Sequence, residues 1–251
     1  KSRYRGGFRP DQLEFIANDL LHVSRDKLVI LSFHIPLFST ESEEFSLADR
    51  QQLFDILKDF PHVLVMSAHT HLQRQNFYSV HDGWQGSRPL HEFNSGTSCG
   101  DWHKGELDER GIPRATMYDG TPKGYSFLRI DGNSYTIDYK AAGKHADCQM
   151  NIYHPLVVPH NQRTGAPITV NFFMGRKGDT VEFRIDNGKW TAMNHTEKED
   201  PSYLEQLWRW DRSGELLKGR RPSNPQPCSH LWQAAMPAVA DEGNHTIEVK
   251  A

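Results

Sequence analysis

Nothing in this sequence approaches the ~20 consecutive apolar residues that a bilayer-spanning helix needs, so no membrane span is expected. Paired cysteines are missing too. Cys99, Cys148 and Cys228 stand far apart with no CxxC among them, which argues against a zinc knuckle. An odd count cannot all pair within the chain, and buried free thiols are expected. Charge of one sign is not in excess: 29 basic residues face 32 acidic ones, for a net charge of −3. That balance gives no footing for nucleic acid as a structural partner. Repeats and low-complexity tracts are absent. No methionine precedes Lys1, no signal peptide follows it, and Ile247–Ala251 reads as an unfinished strand. A chain cut at both ends is the expectation, and the compartment stays open.

The 251 residues suffice for one large or two ordinary domains, and an aromatic share of 11% supplies a core. A helix is predicted from about Pro10 to Val23, with Leu13, Ile16, Ala17 and Leu20 on one face. Lys27–Phe33 is a short β-branched apolar run and reads as a strand buried on both faces. A second helix is predicted from about Ser46 to Phe60, stopped by Pro61, and His62–Ser67 is a second buried strand. Strand, helix, strand is a βαβ unit, so the two strands should run parallel through a right-handed crossover. Shorter strands are expected at about 74–80 and 91–95. A hairpin of Tyr125–Ile130 with Ser134–Lys140 is expected to turn at Asp131-Gly132-Asn133. From 146 onward prolines punctuate short alternating runs such as Val181, Phe183 and Ile185, the pattern of an all-β sandwich. The fold class expected is therefore α/β over 1–145, followed by an all-β sandwich over 146–251.

Both strands of the βαβ unit end on one sheet edge, where ligands of open α/β sheets sit. The first leads into His34 and the second into His69-Thr70-His71. Neutral imidazole suits zinc, manganese or iron. An HxH alone is a weak signal, but a histidine one strand spacing away, about 5 Å, makes the set far more specific.

The order strand–His34, helix, strand–Ala68-His69-Thr70-His71 resembles the last two conserved blocks of the calcineurin-like metallophosphoesterases, with Ala68 where the family carries Gly. Longer stretches are similar to a bacterial branch with a C-terminal sandwich: Tyr4–Leu20, Asn94–Trp102, Gly111–Tyr125, Asp138–Gly143 and His230–Trp232. The resemblance implies that His34 and His69 bind one divalent ion (Mn, Fe or Zn) and His71 a second, bridged by an acidic residue and a water. It also implies a phosphoester substrate and a periplasmic or extracytoplasmic setting. The family's earlier blocks, which supply the bridging Asp, the other ligands and a catalytic His, have no match in residues 1–33. No catalytic residue is therefore assigned. The parent protein reads as a metal-dependent phosphoester hydrolase, this chain alone as inactive, and the missing N-terminal half of the domain or a second copy as its partner. Asp101-Trp102-His103 and Gly243-Asn244-His245-Thr246 imitate the missing blocks in the wrong order, although Asp101 and His103 are weak candidates for substrate contact. The alternative reading is a carbohydrate- or surface-binding β-sandwich with a vestigial metal site.

Overall fold

The computed structural model describes residues 5–38, 45–162, 165–239 and 241–251. Lys1 and Tyr4, which entered the reading above, lie outside them. In chain order the elements are α1 (Pro10–Leu20), β1 (Val29–Ser32), α2 (Leu47–Leu57), β2 (Val63–Ser67), β3 (Gln73–Tyr78), β4 (Leu90–Ser95), β5 (Gly105–Glu106), β6 (Gly124–Asp131), β7 (Ser134–Ala141), β8 (Met150–Tyr153) and β9 (Pro167–Phe172). They continue with β10 (Glu182–Ile185), β11 (Thr191–Ala192), β12 (Asn194–Lys198), α3 (Pro201–Arg212), β13 (Gly219–Arg220), β14 (Cys228–Ala235) and β15 (Ile247–Lys250). By packing, the residues form two compact units, Lys1–Thr97 with Tyr125–Asp138, and Ser98–Gly124 with Tyr139–Ala251. Segment 98–124 groups with the second unit.

The first unit carries a four-stranded sheet in the order β1-β2-β4-β3. β1, β2 and β4 run parallel and β3 returns antiparallel along β4. The expected βαβ unit is present, with α2 as the crossover. Ser46 caps α2 by accepting from the Asp49 backbone N–H at 3.3 Å, and Leu53, Phe54 and Leu57 form its buried stripe. β2 lies between two neighbours and is buried along most of its length. β1 is the sheet edge and alternates half-buried with exposed; Ile30 is 37% exposed. The expectation that both strands are covered on both faces holds for β2 only, since a continuous apolar run does not reveal whether a second layer lies over it.

The second unit contains a four-stranded antiparallel sheet, β12-β14-β9-β8, and a three-stranded one, β11-β10-β15. Ile168, Val170 and Trp232 of the first share a core with Val181 and Phe183, beside and within the second, so alternate residues of β9 and β10 face inward together. The expectation of an all-β region fails at α3. Asp200 accepts from the Tyr203 backbone N–H at 2.9 Å, Pro201 opens the helix, and Tyr203 with Leu207 form its buried face. No disulfide joins any of the three cysteines; Cys228 is buried, whereas Cys99 and Cys148 are only half-buried.

Candidate metal centre

The parallel strands β1, β2 and β4 end on one edge of the sheet, and the loops leaving that edge carry the histidines. Pairing continues past β1: the Phe33 N–H donates to the Met66 carbonyl at 3.1 Å, and the Ala68 N–H donates to the His34 carbonyl at 3.0 Å. The two loops are therefore zipped together by backbone before any side chain acts. Beyond Ala68 the chain leaves extended geometry. His69 has φ 68° and His71 has φ 57°, both in the left-handed region that L-residues with a full side chain rarely adopt. Ala68 is not among the residues with positive φ, so alanine in the glycine position leaves the turn intact.

This turn brings His34 and His69 together. Nε2 of His34 lies 2.9 Å from Nδ1 of His69, with ring centroids 4.8 Å apart and ring planes at 77°. Two imidazole nitrogens facing each other at that distance share either one proton or one ion. His34 is exposed, His69 half-buried and His71 buried at 8%. Among the described residues no group of three or more His, Cys, Asp or Glu side chains is arranged to hold a metal. The donor set fits part of one coordination sphere: two imidazole nitrogens presented side by side from the two loops.

Two side chains on β4 hold the loops in place. Asn94, fully buried, donates to the Ala68 carbonyl at 2.6 Å and to Ser67 Oγ at 3.3 Å, and accepts from Thr70 Oγ1 at 2.9 Å. It thus clamps the residues on either side of His69. Glu92, also fully buried, accepts from the Leu37 N–H at 2.7 Å and the Phe38 N–H at 3.3 Å, and so fixes the chain leaving His34. The same carboxylate accepts from Ser67 Oγ at 3.0 Å, Tyr78 Oη at 2.5 Å and Asn76 Nδ2 at 3.4 Å. Burial pushes its pKa up, opposed by the hydrogen bonds from Tyr78, Leu37, Ser67 and Phe38. Burial, and then the Glu92 charge, pushes the Tyr78 phenol up as well. Neither Glu92 nor Asn94 was singled out as a site residue from sequence. The available signal was a carboxylate in mid-strand, Leu90-His91-Glu92-Phe93-Asn94, where a buried charge needs partners.

The weaker candidates belong to the second unit. Asp101 is 1% exposed, and its carboxylate takes up Ser223 Oγ at 2.9 Å, the Ser223 N–H and Tyr203 Oη at 3.3 Å, with Lys104 Nζ at 3.5 Å. Its acceptor sites are filled by its own unit, so it packs the 98–124 segment. His103 is exposed. The other imitation is also structural: His245 Nδ1 donates to Asp186 Oδ2 at 2.9 Å, and the Thr246 N–H donates to Asp186 Oδ1 at 2.9 Å. A third arrangement has the order of a nucleophilic triad. Cys228 Sγ lies 3.2 Å from His230 Nδ1, and His230 Nε2 lies 3.3 Å from Asp119 Oδ2. None of the three is more than 1% exposed, and burial holds the thiol well above its ordinary pKa, so no thiolate is available for attack. Among the tryptophans, Trp232 is buried and Trp208 is 49% exposed.

A family model described as the C terminal of calcineurin-like phosphoesterase matches residues 92–251, more than half of the chain. No curated protein and no solved structure matches. No helix among the described residues is long and apolar enough to cross a membrane.

Proposed function

The chain belongs to the calcineurin-like phosphoesterases, matching the C-terminal part of that family, and from that membership we propose that His34 and His69 hold one divalent ion and His71 a second in a centre that hydrolyses phosphoesters. The observation that carries this reading is the 2.9 Å approach of His34 Nε2 to His69 Nδ1 on a left-handed turn at the C-terminal edge of parallel strands. Backbone in the left-handed region costs roughly 1–2 kcal/mol per residue, and such strain persists where a side chain has to be aimed. When bound, a pair of ions polarises the phosphoryl oxygens and makes hydroxide available at neutral pH.

The chain's own residues supply the aim. Each ligand nitrogen must be deprotonated, and the two facing nitrogens present lone pairs to a common point once no proton lies between them. Asn94 fixes the carbonyl and hydroxyl flanking His69, so the imidazole is presented by a rigid turn. Glu92 does the same for the chain after His34. Their job is orientation, the role that groups behind metal ligands commonly play. The bridging acidic residue and remaining ligands come from a segment outside this sequence or from a second copy. The second unit is read as a β-sandwich built from its two antiparallel sheets, with α3 added.

Metal titration of EDTA-treated protein with Mn2+ or Zn2+ tests the reading. Saturable binding of an ion to the whole chain is expected, lost in His34→Ala and in His69→Ala. Binding that survives both substitutions refutes the assignment. Turnover of p-nitrophenyl phosphate esters by this chain alone should be poor, because these three histidines include no bridging carboxylate to hold two ions close together.

A further inference from the structure

We propose that the second unit carries a separate binding site for a small phosphomonoester with a hydroxylated body, in the cleft along α3. This cleft has a volume of about 520 Å3, within the ~300–1,000 Å3 range of small-molecule sites. One wall is the stripe Ser202, Glu205, Gln206 and Arg209 of α3. These residues stand at i, i+3, i+4 and i+7 and share one helix face. The buried face of the same helix, Tyr203 and Leu207, points elsewhere. The cleft is therefore lined by the polar side of the helix and is no accident of incomplete core packing.

The walls are tied to each other. Asn151 Nδ2, on the edge strand β8, donates to Ser202 Oγ at 2.9 Å. Thr116 Oγ1 donates to Gln206 Oε1 at 3.4 Å, which joins the loop before β6 to the helix. Strand, loop and helix thus hold the cleft open with their hydroxyls and amides at its rim. Phe173 and Met150 add an apolar patch against which the carbon skeleton of a ligand can rest.

Charge selects the ligand. Arg114, Lys123, Lys144 and Arg209 all line the cleft, and Glu205 is the acidic residue facing them. Arg209 is engaged by Glu106 at 3.1 Å, and Lys123 Nζ donates to the Pro113 carbonyl at 2.5 Å without losing its charge. Among the described residues neither Arg114 nor Lys144 has a carboxylate partner. With Arg209 set against Glu106 and one further cation set against Glu205, two positive charges stay uncompensated in a chain whose net charge is −3. A phosphomonoester carries about −1.5 to −2 at pH 7, which meets that surplus, whereas a carboxylate meets half of it. A guanidinium fork beside an ammonium is the pairing that recognises a phosphoryl group. All the residues used here belong to the second unit and none is a proposed metal ligand.

Calorimetric titration of the whole, EDTA-treated chain with glucose 6-phosphate tests the proposal, with glucose and inorganic phosphate as controls. Saturable one-to-one binding of the sugar phosphate is expected, weakening as NaCl is raised. Glucose should not bind, and inorganic phosphate should bind at least about tenfold more weakly, since it lacks the body that the hydroxyls, amides and Phe173 receive. The double substitution Arg114→Ser with Lys144→Ser removes two exposed side chains and should weaken binding about tenfold or more, while circular dichroism stays that of the parent. His34→Ala should leave the affinity unchanged. The proposal falls if glucose 6-phosphate does not saturate the chain, if the double variant binds as tightly as the parent, if inorganic phosphate binds as well as the ester, or if His34→Ala abolishes binding.

Discussion

His69 combines two demands that a side chain rarely meets together: a left-handed backbone and an imidazole aimed at its neighbour. Glycine satisfies the first without penalty, so His69→Gly is expected to raise stability by up to about 1 kcal/mol while removing metal binding, measured by denaturant unfolding and by ion titration. The opposite result, lower stability with metal affinity intact, contradicts the role given to this turn. Glu92 makes the second residue-scale prediction. Replacing it by Leu strands the Leu37 N–H and the Ser67 and Tyr78 hydroxyls, and should cost about 3–5 kcal/mol in urea unfolding. Glu92→Gln separates charge from packing. Because burial raises the folded-state pKa of Glu92 above its ordinary 4.5, its favourable contribution is complete below that value and is lost as pH rises through the raised value. The stability advantage of the parent over Glu92→Gln should therefore be larger at pH 4.5 than at pH 8.

At the scale of elements, α3 depends on Asp200. This 1%-exposed carboxylate accepts from the Tyr203 N–H at 2.9 Å, from Ser202 Oγ at 2.5 Å and from Asn171 Nδ2 at 2.9 Å. An exposed cap is worth ~1 kcal/mol; here the buried Asn171 amide also loses one of its two acceptors and keeps only the Asp119 carbonyl, so Asp200→Ala should lower stability by about 2–3 kcal/mol. Thermal melts against Ser46→Ala, an ordinary cap on α2, provide the comparison, and equal losses would show that the burial of Asp200 adds nothing. One end of the antiparallel pair β10–β15 is closed by the His245–Asp186 pair. Hydrogen bonding to Asp186 raises the His245 pKa above 6.5, and the same bond lowers that of Asp186 below 3.8. The histidine's contribution is complete below 6.5 and lost as pH rises through its raised value. The aspartate's is complete above 3.8 and lost as pH falls through its depressed value. The pair is strongest between these limits, and proton NMR titration should find the His245 midpoint above 6.5 and lowered in Asp186→Asn.

At the scale of the whole molecule, β1 stands at the outer edge of its sheet. Among the described residues β1 pairs with β2 alone, Ile30 is 37% exposed, and Phe15 of α1 is 69% exposed. Phe8, Phe15, Ile16, Leu31 and Phe33 line an apolar groove there. An open edge with apolar side chains templates strand pairing. Light scattering at rising concentration should give a mass above that of one chain, and Ile30→Lys should bring it back down. A monomer at all concentrations would mean that this face tolerates water.

What the sequence determined by itself is what local pattern and chain order encode. Periodicity set α1, α2 and the paired strands to within a few residues, and the βαβ order sufficed to place His34 and His69 on one sheet edge, because parallel strands joined by a helix end on the same side. The motif around them also pointed to the right family. The tertiary structure alone decided what depends on neighbours distant in sequence. Whether β1 is covered depends on layers its own run does not describe. That Asp101 is consumed by Ser223 and Tyr203 depends on residues more than a hundred positions away. That Glu92 and Asn94 hold the two histidine loops follows from strand register, which pairs Ser67 with Asn94 across β2 and β4. α3 was legible in Asp200-Pro201 but was masked by the alternating strands around it, since a cap signal is local and a fold class is read from the majority pattern. A buried polar residue shows its purpose only when its partners are known, and partners are set by packing.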